Sequence, residues 1–176
     1  MPACCKPMFT LLHLSDLHRS AAEPFTNDEI VSSLVADMGR YSSESPPIAK
    51  PDAIIVSGDL VQGLPLDSPA YPDGLVNQYE VALDLLNRLA DGFLAGDRSK
   101  LVMIPGNHDV DFNQSRAAMV EIQVEKEDIK EVVFGRHHDN PHRWCWNHAK
   151  VYKINDMTRY EDRFKYGSSG GCAFCS

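Results

Sequence analysis

The chain has no long apolar run: none of its 176 residues lies in a stretch approaching the roughly 20 that a helix needs to cross a bilayer. Met1 to Lys6 lead through a short apolar stretch straight into polar Ser15-Asp16, which has neither the length nor the cleavage pattern of a signal peptide. These two absences predict an intracellular, cytoplasmic protein without a membrane partner. Positive charge is also scarce. Lys and Arg number 17 against 25 Asp and Glu, for a formal net charge of -8 and a pI near 5.3. That balance argues against a general nucleic-acid coat and leaves room only for a local basic patch. A disulfide framework is missing too, because the five cysteines, Cys4, Cys5, Cys145, Cys172 and Cys175, are odd in number and scattered. Cys172 and Cys175 form one C-x-x-C with no second pair to complete a zinc knuckle and no strand-to-helix context for redox work, so they read as incidental thiols.

What is present is ordinary in bulk: 43% hydrophobic and 24% charged residues, in a chain long enough for one domain with a real core. The informative parts are local. Leu101-Val102-Met103-Ile104-Pro105 reads as a buried strand that stops at Gly106 and then presents Asn107, His108 and Asp109 on one tight turn. Asn107 and His108 can each ligate a metal or donate a hydrogen bond, and Asp109 is adjacent and could fix the ring tautomer of His108. Alone, such a trio is more readily a polar loop. Two other strand ends carry related groups. Residues 8–14 read as a strand ending in Ser15-Asp16-Leu17-His18, where Asp16 and His18 would share one side of an extended chain. Ala53-Ile54-Ile55-Val56-Ser57 is a continuous apolar run, typical of a sheet covered on both faces, and it ends in Gly58-Asp59.

Helices separate these strands. Thr26-Asn27-Asp28-Glu29 has capping-box form, and Ile30, Val31, Leu34, Val35 and Met38 follow at helical spacing, so a helix is predicted over 27–38. Prolines make 42–52 a loop, and more prolines and glycines make 63–75 another, a loop placed to shape a pocket or to stand as a solvated insertion. A second helix is predicted over 76–91, with Tyr79, Leu83, Leu86, Leu89 and Ala90 on its apolar face. The order is therefore β-α-β-α-β. Right-handed crossovers place all three strand ends on one edge of a parallel sheet, where Asp16, His18, Asp59, Asn107 and His108 converge. Further on, 118–134 reads as a charged amphipathic helix, 151–154 as a short strand and 156–165 as another helix.

Two Asp, one His and one Asn offer oxygen and nitrogen ligands that suit Mn, Fe or Zn better than Ca. A carboxylate can bridge two such ions, the usual clamp for phosphoryl hydrolysis, and a histidine beside them can protonate the leaving oxygen. The set Asp16-x-His18, Gly58-Asp59 and Gly106-Asn107-His108-Asp109 resembles the first three motifs of the calcineurin-like metallophosphoesterase family, over about residues 8–112. The resemblance implies an α/β fold, a four-layer α/β/β/α sandwich. It implies two divalent metal ions, with Asp16 and His18 on the first, Asp59 bridging and Asn107 on the second. His108 would be the acid and Asp109 its partner. The substrate would be a phosphomonoester or phosphodiester, whether nucleotide, nucleic acid or phosphoprotein.

The family also carries a later Gly-His and Gly-His-x-His, and neither is found here. The remaining histidines, His137, His138, His142 and His148, follow no apolar strand. The expectation is a chain that stops inside a larger domain: a metallophosphoesterase portion over 1–166, a flexible tail over 167–176, half of a two-metal site, and one sheet face without its partner. Two other readings stay open on the missing ligands, that the late histidines replace them or that a second chain supplies them. Against the enzyme stands a non-catalytic binding module with a phosphoesterase-like fold. Trp144 and Trp146 are expected to pack against the body.

Overall fold

The computed structural model describes residues 8–66, 68–71, 73–134, 140–145 and 148–164. Cys4, Cys5, the Cys172–Cys175 pair, the tail over 167–176, His137, His138 and Trp146 lie outside the described residues.

Three short apolar runs form one parallel sheet: β1 (Leu11–Ser15), β2 (Ala53–Ser57) and β3 (Leu101–Ile104), in the order β1-β2-β3. The register pairs Ser15 with Ser57 and Ser57 with Ile104, so the three strands end level. On one face the pleat buries Ile54 and Val56 completely, with Leu12, Leu14 and Met103 beside them. Of the two expectations, cover on both faces of β2 and one sheet face without its partner, the described residues correct the first and agree with the second. Among the described residues the other face stays open, and Leu11, Val102 and Ile104 remain 49%, 49% and 52% exposed.

Two helices cover the buried face. Helix α1 (Asn27–Met38) starts where the sequence predicts, because Thr26 and Glu29 close the capping box in both directions. Helix α2 (Asp73–Leu94) is longer at both ends than the predicted 76–91. Its stripe continues through Phe93 and Leu94, and it includes Gly74, where a Cβ would stand 3.1 Å from both Ala70 Cβ and a Leu64 methyl. Ala82 and Leu85 are fully buried, whereas Leu83 is only half-buried, so the inward face is turned from the predicted one. The helices meet closely at Gly92, where a Cβ would stand 3.1 Å from Val35.

The predicted helix over 118–134 is not there. The chain forms α3 (Phe112–Ala117), β4 (Met119–Ile122) and α4 (Ile129–Phe134). Val120, Ile122 and Val124 alternate with Glu121, Gln123 and Glu125, a period of two that suits a strand, and pairing with another strand decides the matter. β5 (His142–Cys145) and β6 (Lys150–Ile154) complete a small antiparallel sheet in the order β4-β6-β5. α5 (Met157–Glu161) follows, capped by Asp156, and is shorter than the predicted helix. No helix among the described residues is long and apolar enough to cross a membrane.

Leu89 is fully enclosed between α2 and the sheet. Leu89→Ala is expected to cost about 2–5 kcal/mol in urea unfolding, whereas Leu11→Ala on the open face costs under about 1 kcal/mol.

Candidate metal centre

The loops that leave β1 and β2 stay paired beyond the sheet. The amides of Asp16, His18 and Arg19 donate to the carbonyls of Ser57 (3.3 Å), Asp59 (2.9 Å) and Leu60 (2.7 Å), and Gln62 donates back to Arg19 (3.2 Å). Two residues adopt left-handed backbone to do this, Asp16 at φ 53° and His18 at φ 45°. That corrects the picture of an extended Asp-x-His, because the chain turns twice. Each residue with a Cβ held there costs about 1–3 kcal/mol, and such strain gathers at functional sites. The Asp16 carboxylate ends over Gly58, with Oδ1 3.2 Å from where a Cβ would stand.

The third loop locks onto the second. Gly58 donates to the Ile104 carbonyl at 3.1 Å. A Cβ on Gly106 would fall 2.5 Å from the Asp59 amide nitrogen and 2.8 Å from the Gly58 carbonyl carbon, so only glycine fits. Asp59 is buried, and its Oδ1 accepts the His108 amide at 2.8 Å. Its other oxygen, Oδ2, stands 3.9 Å from Nε2 of His18 and 3.9 Å from Nε2 of His108. The two imidazoles meet edge to face, with centroids 5.0 Å apart.

Asp109 does not hold the His108 ring, contrary to the expectation. Its carboxylate is only 4% exposed and turns to the backbone. Oδ2 accepts from the amides of Leu60 (3.1 Å) and Gly106 (2.8 Å), and Oδ1 from Val61 (2.9 Å). A charged acceptor satisfies three otherwise orphaned amides here, which outweighs one bond to an imidazole. The Gln62 carbonyl takes the ring instead, 2.5 Å from Nδ1. A carbonyl only accepts, so Nδ1 carries a proton and Nε2 is the ring atom that faces Asp59.

Helix α2 braces this loop with residues that the motifs do not include. Gln78 is buried and bonds both ways with Gly63, accepting its amide at 2.8 Å and donating to its carbonyl at 3.2 Å. Gly63, at φ 74°, lies so close to His108 that a Cβ would come within 3.1 Å of Nδ1. The Tyr79 hydroxyl donates to the Asp109 carbonyl at 2.6 Å, and burial, then the Asp109 and Asp111 carboxylates, push its pKa upward. Gln78 had a signal in the sequence, a polar residue on the apolar stripe between Leu75 and Ala82.

His18, Asp59 and His108 thus bring one ligand atom each within 4.8 Å of one another, the one such group among the described residues. His18 and His108 side chains stay about a third exposed, 35% and 36%, so the group is open to solvent. Asn107 is exposed at the rim, where it also lines a neighbouring cavity. His142 faces Asn140, and His148 lies 3.7 Å from Cys145 Sγ, so neither joins the group.

A model of the family described as calcineurin-like phosphoesterase matches residues 9–167. That span is most of the chain, and the protein belongs to this family. Neither a curated protein nor a solved structure gives a match. Members bind divalent metals, and the residues here fit one. The donors are imidazole nitrogens and a carboxylate oxygen, a set that suits Mn, Fe or Zn.

Asp109→Asn would turn an amide N–H toward backbone N–H groups. It is expected to cost about 1–3 kcal/mol in denaturant unfolding, although the residue touches neither imidazole.

Proposed function

We propose that the chain is a metal-dependent phosphoesterase that hydrolyses its ester with a metal-activated water. Asp16 and His18 hold one divalent ion, Asn107 holds another, and Asp59 lies between them. Mn, Fe or Zn bound there supplies Lewis acidity and lowers the pKa of a water near the phosphorus. The observation that carries this reading is Asp59 Oδ2, equally distant at 3.9 Å from two imidazoles and turned to the open side.

The chain's own residues do the rest. His108 is the acid. Its Nδ1–H is tied to the Gln62 carbonyl, so the ring keeps one orientation; protonated also at Nε2, the imidazolium gives that second proton to the leaving oxygen and is left neutral with Nδ1–H still held. Asp109 is a positioning residue that holds the loops of Asp59 and His108 in register through backbone amides. The domain spans 1–166, with 167–176 as a tail. A second reading follows from the composition of the ligand group: three residues can hold a single ion, as in a non-catalytic binding module.

Elemental analysis after reconstitution with Mn, beside Asp59→Ala, separates the two. Two ions per chain, lost in the variant, support the enzyme; one ion or none overturns the two-ion reading. His108→Gln is expected to keep the metal and lose about 10²–10⁴-fold in hydrolysis of bis(p-nitrophenyl) phosphate or p-nitrophenyl phosphate. Loss of metal in that variant would make His108 a ligand instead of the acid.

A further inference from the structure

A cavity of about 410 Å³ adjoins the metal centre, sharing Asn107 with it, and its chemistry is unlike the rest of the chain. The protein carries a net charge of -8. Yet Arg116, Arg143, Arg163 and His148 line this cavity, and among the described residues no Asp or Glu does. Its volume falls within the range of small-molecule sites.

Two of the arginines form a pair built around one ring. The Arg163 guanidinium lies 3.7 Å from the Tyr160 centroid, and that of Arg143 lies 5.4 Å from it. Arg143 is fixed by its inner atoms: Nε donates to the Tyr160 hydroxyl (3.1 Å), and Nη1 to the carbonyls of Asn140 (2.6 Å) and His142 (2.7 Å). Arg163 Nη1 donates to the Tyr160 carbonyl. Among the described residues neither side chain makes an ion pair with a carboxylate. Burial, with the neighbouring Arg143 charge, lowers the pKa of Arg163. Tyr160 and Glu161 offset part of that effect, and an anion against the two guanidinium groups would offset more. Phe112 and Tyr152 also line this cavity, and Tyr152 lies directly across from Arg143 in the small sheet, on the same face. Aromatic faces stack with any nucleobase.

We propose that this cavity is the specificity pocket for a nucleotide: the base stacks against Phe112 and Tyr152, and a phosphate other than the scissile one sits against Arg143 and Arg163. The inference rests on the phosphoesterase reading for its link to catalysis, since Asn107 joins the cavity to the centre that cleaves the ester. The binding itself needs only residues of the cavity. A nucleoside diphosphate has the three required parts, a flat ring, an ester phosphate and a second anion.

The test is calorimetry on the metal-free full chain with adenosine diphosphate, adenosine and inorganic pyrophosphate. The diphosphate is expected to bind at least about tenfold more tightly than either half alone, as stacking adds to a charge-assisted contact. Arg163→Gln should reduce the diphosphate to the adenosine level and leave adenosine binding unchanged. Tyr152→Ala should weaken the diphosphate and adenosine together. Arg143 also ties loop carbonyls, so Arg143→Lys, which keeps a charge and donors, serves with a melting curve as the check that folding survives. Equal binding of the diphosphate and pyrophosphate, indifference to Arg163→Gln, or tighter binding of a phosphotyrosine peptide would overturn the proposal. Hydrolysis of bis(p-nitrophenyl) phosphate with Mn, measured in parallel, keeps the two readings apart. Hydrolysis without diphosphate binding sinks the pocket alone, and the expected binding pattern without hydrolysis sustains the pocket and sinks the phosphoesterase.

Discussion

The structure around the centre depends on one buried carboxylate. Asp109 takes three backbone amides, two from the loop after β2 and one from the turn after β3. Parallel strands set their ends level but do not by themselves fix the loops beyond them. Asp109 supplies that constraint, and the close seat of Gly106 on Asp59 becomes its consequence. With the two loops joined, the His108 amide reaches Asp59 Oδ1, and the free oxygen of Asp59 is aimed at both imidazoles. A charge held by fixed dipoles in this way is satisfied without a counter-ion, so it leaves the histidines free for other work.

Much of this was legible in the residues. The three strands were marked by apolar runs that end at glycine or polar groups, and Ala53–Ser57 lies where the pattern put it. Thr26 and Glu29 fixed the start of α1 because a capping box is a local device. Asp16, His18, Asp59 and His108 could be grouped on one edge from topology alone. The direction of Asp109 was not legible. An adjacent carboxylate and imidazole suggest a pair, but backbone amides from distant loops do not appear in a linear pattern. Residues 118–134 failed for a related reason: their charges suit a helix surface, and only pairing with β6 favours the strand. Gln78 and Tyr79 act on the site from α2, far from any motif, and only the fold brings them there.

The centre and its neighbouring cavity divide the electrostatics of the chain between them. Acidic groups dominate the total, and the loops at the strand ends concentrate them where a cation would sit. Helix α3, strand β5 and the turn after α5 bring Arg116, Arg143 and Arg163 to the cavity that Asn107 also lines. A ligand that meets both regions must itself carry an anionic group at one end. The order along the chain mirrors the order in space: His18, Asp59 and His108 come from the first 109 residues, and Arg116, Arg143 and Arg163 from those that follow.

The left-handed backbone at Asp16 and His18 has an evolutionary consequence. Glycine at either position would relax the turn and make the fold sturdier, while removing the carboxylate or the imidazole. The sequence that folds best and the sequence that can grip an ion therefore diverge at these two positions. A lineage released from selection on the site would be expected to drift toward glycine there before it lost its core.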